Sequence, residues 1–301
     1  MPIDEIKKVC VIGAGTMGCR ISLQCAIRGY ETTVYDISEE VLQQAPERHK
    51  MMADVLVSTG AVSQSEIDVG LARISFTSDP EKAAENADLL SESVPEIIDI
   101  KRKVHAQFDQ ICPPHTIMTT NSSSLLVSEI EDVVQRGDKF AAMHLHGFGS
   151  VVDIMRGPRT SPETVNILRR FARSLGEVPI VLKKEKDGYV HNTLFIALLQ
   201  SAASLVIGGY ADIEDVDRSW MAVHHSLAGP FGMMDGVGLD VAMNVAEAQA
   251  HRGRGEAWQQ MAKFLRPYVE RGDLGAKTGK GFYTYPNPAF QQPDFLTGKG
   301  D

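Results

Sequence analysis

Residues 8–18 read KVCVIGAGTMG, a short apolar run that breaks into glycines spaced G-x-G-x-x-G. An apolar run bounded by glycine suits a strand buried on both faces. Residues 17–29 continue as a helix that Gly29 stops. Strand, turn and helix in this order open a dinucleotide-binding unit. Gly13 permits the tight turn, Gly15 lets a pyrophosphate approach the backbone, and Gly18 lets helix and strand pack closely. The helix start at Thr16 and Met17 offers free N–H groups and a partial positive charge to the anion. The glycines alone are a weak signal. Asp36 completes the unit, because it ends the strand-like run ETTVYD 18 residues after Gly18. A carboxylate there accepts hydrogen bonds from ribose hydroxyls and repels a 2′-phosphate, so the cofactor expected is NAD rather than NADP.

The rest of the first half repeats the alternation. Strand-like segments fall at 74–79, 87–93, 115–121, 139–144, 152–155 and 178–182, with helical ones at 97–111 and 162–175. A helical insertion fills about 38–72, with one helix at 38–58 and a shorter one at 65–71. Apolar strands alternating with helices imply an α/β class, a Rossmann-type doubly wound, mainly parallel sheet. From residue 187 the strands stop, and helices fit at 189–207, 213–226, 238–250 and 256–271. The expected organisation is an NAD-binding domain over 1–186 followed by an all-helical substrate and dimerisation domain over 187–301. A chain of 301 residues suits two domains.

Net charge is −9 and the sequence pI is about 5.5, which argues against nucleic acid or an anionic membrane as the main partner. No apolar stretch has the length of a spanning helix, and MPIDEIKK lacks the pattern of a signal peptide. Cys10, Cys19, Cys25 and Cys112 have no metal-ligand spacing and read as buried thiols in a reducing cytoplasm. His224, His225 and His251 likewise have no accompanying ligand pattern, so no metal is expected.

The ordered motifs resemble the 3-hydroxyacyl-CoA dehydrogenase family over nearly the whole chain. After GAGTMG come Glu92-Ser-Val-Pro-Glu96 with Lys101, then Asn121-Ser-Ser-Ser-Leu125, similar to the family's Asn-Thr-Ser-Ser-Leu. GPRTS at 157–161, DGYVHN at 187–192, GPFGMMDGVGLD at 229–240 and KTGKGFY at 277–283 follow. The resemblance implies an NAD-dependent oxidoreductase of fatty acid metabolism, converting a 3-hydroxyacyl substrate to the 3-oxo product. It implies that Glu96 and Lys101 lie near the nicotinamide half of the cofactor. It also implies that Ser123 and Asn192 hydrogen-bond the reacting oxygen, and that the helical domain builds a homodimer.

Alcohol oxidation by NAD needs a base for the hydroxyl proton, and histidine with a carboxylate partner suits that task. The family carries its histidine in His-Phe-Phe-Asn-Pro, with a glutamate following in Leu-Val-Glu-Val. This chain has His144-Leu-His146-Gly-Phe-Gly-Ser-Val-Val-Asp153 instead. His144 lies 21 residues after Ser123, the family's spacing, and is preferred as the base. His146 competes for the role. Asp153 stands for the glutamate, giving a His–Asp dyad, on a loop about three residues shorter than the family's. Gly147 replaces the asparagine, and Thr193 follows Asn192 where the family has arginine.

The substrate stays open at this level. At the positions from which the family's helical insertion contacts CoA, this chain has Met52 and Thr59, with Arg48 and Lys50 nearby. The alternatives are a free hydroxy acid, as in gulonate 3-dehydrogenases, a carrier-protein-bound hydroxyacyl group, or a non-catalytic NAD-binding protein. A lysine-based mechanism like that of the 3-hydroxyisobutyrate dehydrogenases is disfavoured, because no lysine occurs between Lys186 and Lys263.

Overall fold

A computed structural model describes residues 4–146 and 150–297. Gly147, singled out above, lies outside the described residues. The chain divides into two units, Met1–Val190 and His191–Asp301.

The first unit runs β1 (Lys8–Ile12), α1 (Thr16–Ile27), β2 (Glu31–Tyr35), α2 (Glu39–Ser58), α3 (Gln64–Leu71), β3 (Ile74–Thr77) and α4 (Pro80–Ala84). It continues with β4 (Leu89–Glu92), α5 (Ile98–Ile111), β5 (Ile117–Thr120), β6 (Phe140–Leu145), β7 (Val151–Arg156), α6 (Pro162–Ser174) and β8 (Val178–Leu182). The eight strands form one sheet in the order β3-β2-β1-β4-β5-β6-β7-β8. All neighbours pair in parallel except β6 with β7. This is the doubly wound sheet that the strand–helix alternation implies. The antiparallel pair follows from chain length. Five residues separate β6 from β7, and a parallel crossover needs a dozen or more.

Every residue of β4, β5 and β6 is buried, as both-face coverage by helices requires. Two apolar clusters flank the sheet. One gathers Val9, Val11, Ile21, Leu89, Ile154 and Phe171, and the other Ile12, Phe108, Met118, Phe140 and Met155. The four cysteines are buried among them. Helix α2 docks its buried face, Ala45, His49, Ala53 and Leu56, and its Ser38 cap accepts from Val41 N.

The second unit is helical, with α7 (His191–Ile207), α8 (Ile213–His224), α9 (Pro230–Val237), α10 (Leu239–His251) and α11 (Glu256–Glu270). Helix α9 is absent from the sequence reading, because its glycines mask it. What starts it is tertiary: Asp217 of α8 accepts from Phe231 N and Gly232 N, both at 2.8 Å. Asp235 accepts from Phe282 N and Tyr283 N at 2.9 Å, tying the GKGFY segment onto the same helix. Among the described residues, no helix is long and apolar enough to cross a membrane.

Candidate active site

The fingerprint turn joins β1 to α1. Gly13 has φ +95°, where a side chain is strained. A Cβ on Gly18 would stand 1.7 Å from Gly13 O, so helix and strand approach as only glycine allows. A Cβ on Gly15 meets nothing within 4 Å. The packing therefore leaves open space there, as an approaching ligand requires. Helix α1 starts at Thr16 and Met17 without a side-chain cap, leaving its first-turn amides for an anion. Asp36 Oδ2 accepts from Ala14 N at 2.8 Å and Oδ1 from Ser38 N at 3.0 Å, which fixes the carboxylate beside the turn. These features fit a bound dinucleotide.

A charged network lies at the ends of β4 and β5. Lys101, 1% exposed, donates to Glu92 Oε1 at 2.7 Å and pairs with Glu96 Oε2 at 3.3 Å. Glu92 also accepts from Thr120 Oγ1 and Val94 N, both at 2.7 Å, and lies 3.3 Å from His105 Nε2. Burial opposes its charge, yet these donors and charges outweigh that and hold its carboxyl at about 2. Glu96 Oε1 accepts from Ser122 Oγ, Ser123 N, Ser124 N and Ser124 Oγ at 2.5 to 2.9 Å. Burial opposes its ionisation too, but the serine donors and Lys101 pull its carboxyl below the usual range. Glu96 thus fixes the turn that carries Ser123. The roles of Glu92 and His105 are absent from the sequence reading: Lys101 and His105 stand one turn apart on α5, and only the tertiary placement of that helix at the end of β4 brings both to Glu92.

Ser123 is exposed, and its Oγ lies 2.9 Å from His144 Nε2. His144 is buried on β6 and stacks on Tyr189, with ring centroids 4.9 Å apart and planes 10° from parallel. Tyr189 OH donates to Ser122 O at 2.7 Å, so the tyrosine holds both the imidazole plane and the serine turn. Burial, then the charge of His146, drives the His144 pKa down to about 3, against an upward pull from Asp153 and Glu96.

The carboxylate partner differs from the direct pair expected. Asp153 is the register partner of His144 across β6 and β7, but its Oδ2 lies 2.7 Å from His146 Nε2. His146 Nε2 lies 3.2 Å from His144 Nδ1. The reason is the strand period: residues 144 and 146 project from one face, so His146 reaches diagonally to the carboxylate. The His-x-His spacing on a strand was the available signal for this. Asn192 is the second residue of α7, in the other unit, and half-buried.

At the positions considered for CoA, the Thr59 hydroxyl donates to Val55 O and Leu56 O, and Met52 packs against the α1–α3 cluster. Arg48 donates to Ala14 O at 2.9 Å and to Gln44. It lines a cavity of about 420 Å³ with Thr16, Met51, Met52 and Val55.

Family models decide the lineage. The NAD binding domain of 3-hydroxyacyl-CoA dehydrogenase matches residues 8–186, and the C-terminal domain of the same family matches 188–285. The chain belongs to the 3-hydroxyacyl-CoA dehydrogenase family. It is 32% identical over 285 residues to a probable 3-hydroxybutyryl-CoA dehydrogenase of Bacillus subtilis, covering 93% of this chain and 98% of that one. A 5-formyl-3-hydroxy-2-methylpyridine 4-carboxylate 5-dehydrogenase of Mesorhizobium japonicum is 28% identical over 287 residues, covering 93% and 91%. A solved diketoreductase superposes with a TM-score of 0.87 at 36% identity, covering 94% of this chain and all of that one. This family member is an NAD-dependent oxidoreductase acting on a CH–OH group, of the 3-hydroxyacyl-CoA type.

Proposed function

We propose that the protein oxidises the 3-hydroxyl of a 3-hydroxyacyl-CoA-like substrate to the 3-oxo group, with His144 as the base. The observation that supports this reading is the 2.9 Å contact of Ser123 Oγ with His144 Nε2, a separation at which one substrate hydroxyl can meet both side chains. NAD, when bound, would supply the hydride acceptor for the carbinol carbon. The residues assigned to hold it are Gly13, Gly15, Thr16, Met17, Gly18 and Asp36, with Glu96, Lys101 and Ser123 at the nicotinamide half.

In this reading His144 stays neutral through the neutral range and accepts the hydroxyl proton on Nε2. Asp153 assists by charge rather than by direct contact, because its field favours the imidazolium that forms. Ser123 orients the substrate oxygen, and Asn192 is assigned to the same oxygen on the family resemblance. The first unit is assigned to cofactor binding, and the second to substrate binding and a homodimer.

A second reading, a substrate without CoA, is favoured by the insertion. Thr59 spends its hydroxyl within α2 and Met52 carries no charge or N–H/O–H donor, so neither supplies a polar grip on CoA. The names of the Mesorhizobium relative and of the diketoreductase carry no CoA either. The two readings separate on NADH formation with 3-hydroxybutyryl-CoA and with free 3-hydroxybutyrate. The first requires a kcat/KM for the thioester at least about tenfold higher, equal to about 1.4 kcal/mol of binding to the CoA part. Equal values would favour the second.

A further inference from the structure

Three side chains at the end of β6 and β7 direct ligand atoms at one small volume. His144 Nδ1, His146 Nε2 and a carboxylate oxygen of Asp153 lie within 4.8 Å of one another. Asp153 is fully buried, and the side chain of His146 is 13% exposed. His144 and Asp153 stand directly opposite each other on β6 and β7, and His146 follows the last residue of β6.

A single proton shared from His146 Nε2 serves Asp153 at 2.7 Å well and His144 Nδ1 at 3.2 Å only weakly. A ring nitrogen carries either a proton or a lone pair. If His146 Nε2 donates to Asp153, it cannot accept from His144 Nδ1. If it accepts from His144, the carboxylate faces a lone pair at 2.7 Å. Among the described residues Asp153 Oδ1 is also buried without a hydrogen-bond partner. A carboxylate buried in this way is costly unless a cation faces it.

We propose that His144 Nδ1, His146 Nε2 and Asp153 form a binding site for a divalent cation of the zinc type. Two imidazoles and one carboxylate are a donor set of that class. With metal–ligand bonds of ~2.0–2.2 Å, neighbouring ligands of a tetrahedral site stand ~3.3 Å apart. The His144–His146 separation of 3.2 Å already meets that spacing. The His146–Asp153 separation of 2.7 Å has to widen by ~0.6 Å, within reach of one carboxylate rotation. Three protein ligands leave a fourth position for water or a substrate oxygen.

Occupancy has a sign for the chemistry, and this step rests on the reading of His144 as the base. A neutral imidazole bound through Nδ1 keeps its proton on Nε2, the nitrogen that faces Ser123. That nitrogen then donates and cannot take the hydroxyl proton. The bound cation therefore arrests alcohol oxidation, and the site acts as a brake.

The test titrates chelator-treated full-length protein with zinc chloride. Calorimetry gives stoichiometry and affinity, and initial rates of NADH formation are read alongside. One zinc ion per chain is expected at this site, weakened at least about tenfold by His146→Gln and by Asp153→Asn, since even outer-shell partners carry losses of that size. The rate should fall with occupancy and return with EDTA. No stoichiometric binding, or binding undiminished in both variants, would overturn the site. Any zinc bound in that case would sit elsewhere on the chain. Should Asp153→Asn fail to fold, His146→Gln decides alone. Site-specific binding that leaves the rate unchanged would keep the site and overturn His144 as the base.

Discussion

Gly15 and Gly18 share one motif but answer to different forces. A methyl group at Gly18 runs into the backbone of Gly13, whereas one at Gly15 enters open space. Gly18→Ala should therefore lower the melting temperature by several degrees, as a clash against backbone costs about 1–3 kcal/mol. Gly15→Ala should leave the melting temperature within about a degree and weaken NAD affinity at least about tenfold, because the methyl fills space assigned to the pyrophosphate. Calorimetric melting and NAD titration check both, and a Gly15→Ala protein with unchanged NAD affinity would contradict the assignment. The fingerprint was legible in the sequence because its chemistry is local: strand, turn, helix and acid lie within 36 residues of the start. The surroundings of the histidine were not. Tyr189 reaches His144 only through the tertiary fold, and the contact of Asp153 with His146 depends on strand register that no motif spells out.

At the scale of elements, helix α2 shows how an insertion is anchored. Its His49 is buried and meets Ser22 of α1, Oγ to Nε2, at 2.8 Å. Burial drives the His49 pKa from 6.5 down to about 4. The unfolded chain thus binds a proton that the folded chain refuses between those values. The stabilising contribution is complete above pH 6.5 and lost as pH falls toward 4, with a slope of up to about 1.4 kcal/mol per pH unit. His49→Gln removes this titration, so its stability should fall less steeply than that of the parent across that window. Urea unfolding at a series of pH values measures it, and equal slopes would refute the account. Helices α2 and α3 were readable from apolar spacing and serine caps. Helix α9 was not, because its start depends on Asp217, 13 residues upstream of Pro230 on another helix.

At the scale of the molecule, the second unit leaves apolar side chains uncovered in the single chain. Leu194 and Leu205 of α7 are 68% and 45% exposed, and Leu227 is 91% exposed. The homodimer proposed above would cover these side chains. It predicts twice the chain mass of 32.9 kDa by light scattering at micromolar concentration. Leu194→Asp together with Leu205→Asp should shift the population toward monomer. A wild-type monomer at that concentration would contradict the proposal.

Removal of the His144 imidazole should stop transfer of the hydroxyl proton, and single-turnover oxidation by His144→Ala measures that loss. Positioned proton transfer is worth ~10²–10⁴-fold in rate. His144→Ala should lose that order of rate with NAD affinity nearly unchanged, since the fingerprint lies elsewhere in the unit. The acid limb for the parent should fall below the ordinary histidine value of 6.5, because burial holds the imidazole neutral. A His144→Ala protein that turns over at the parental rate, while His146→Ala does not, would contradict the assignment and move the base to His146, just past the end of β6.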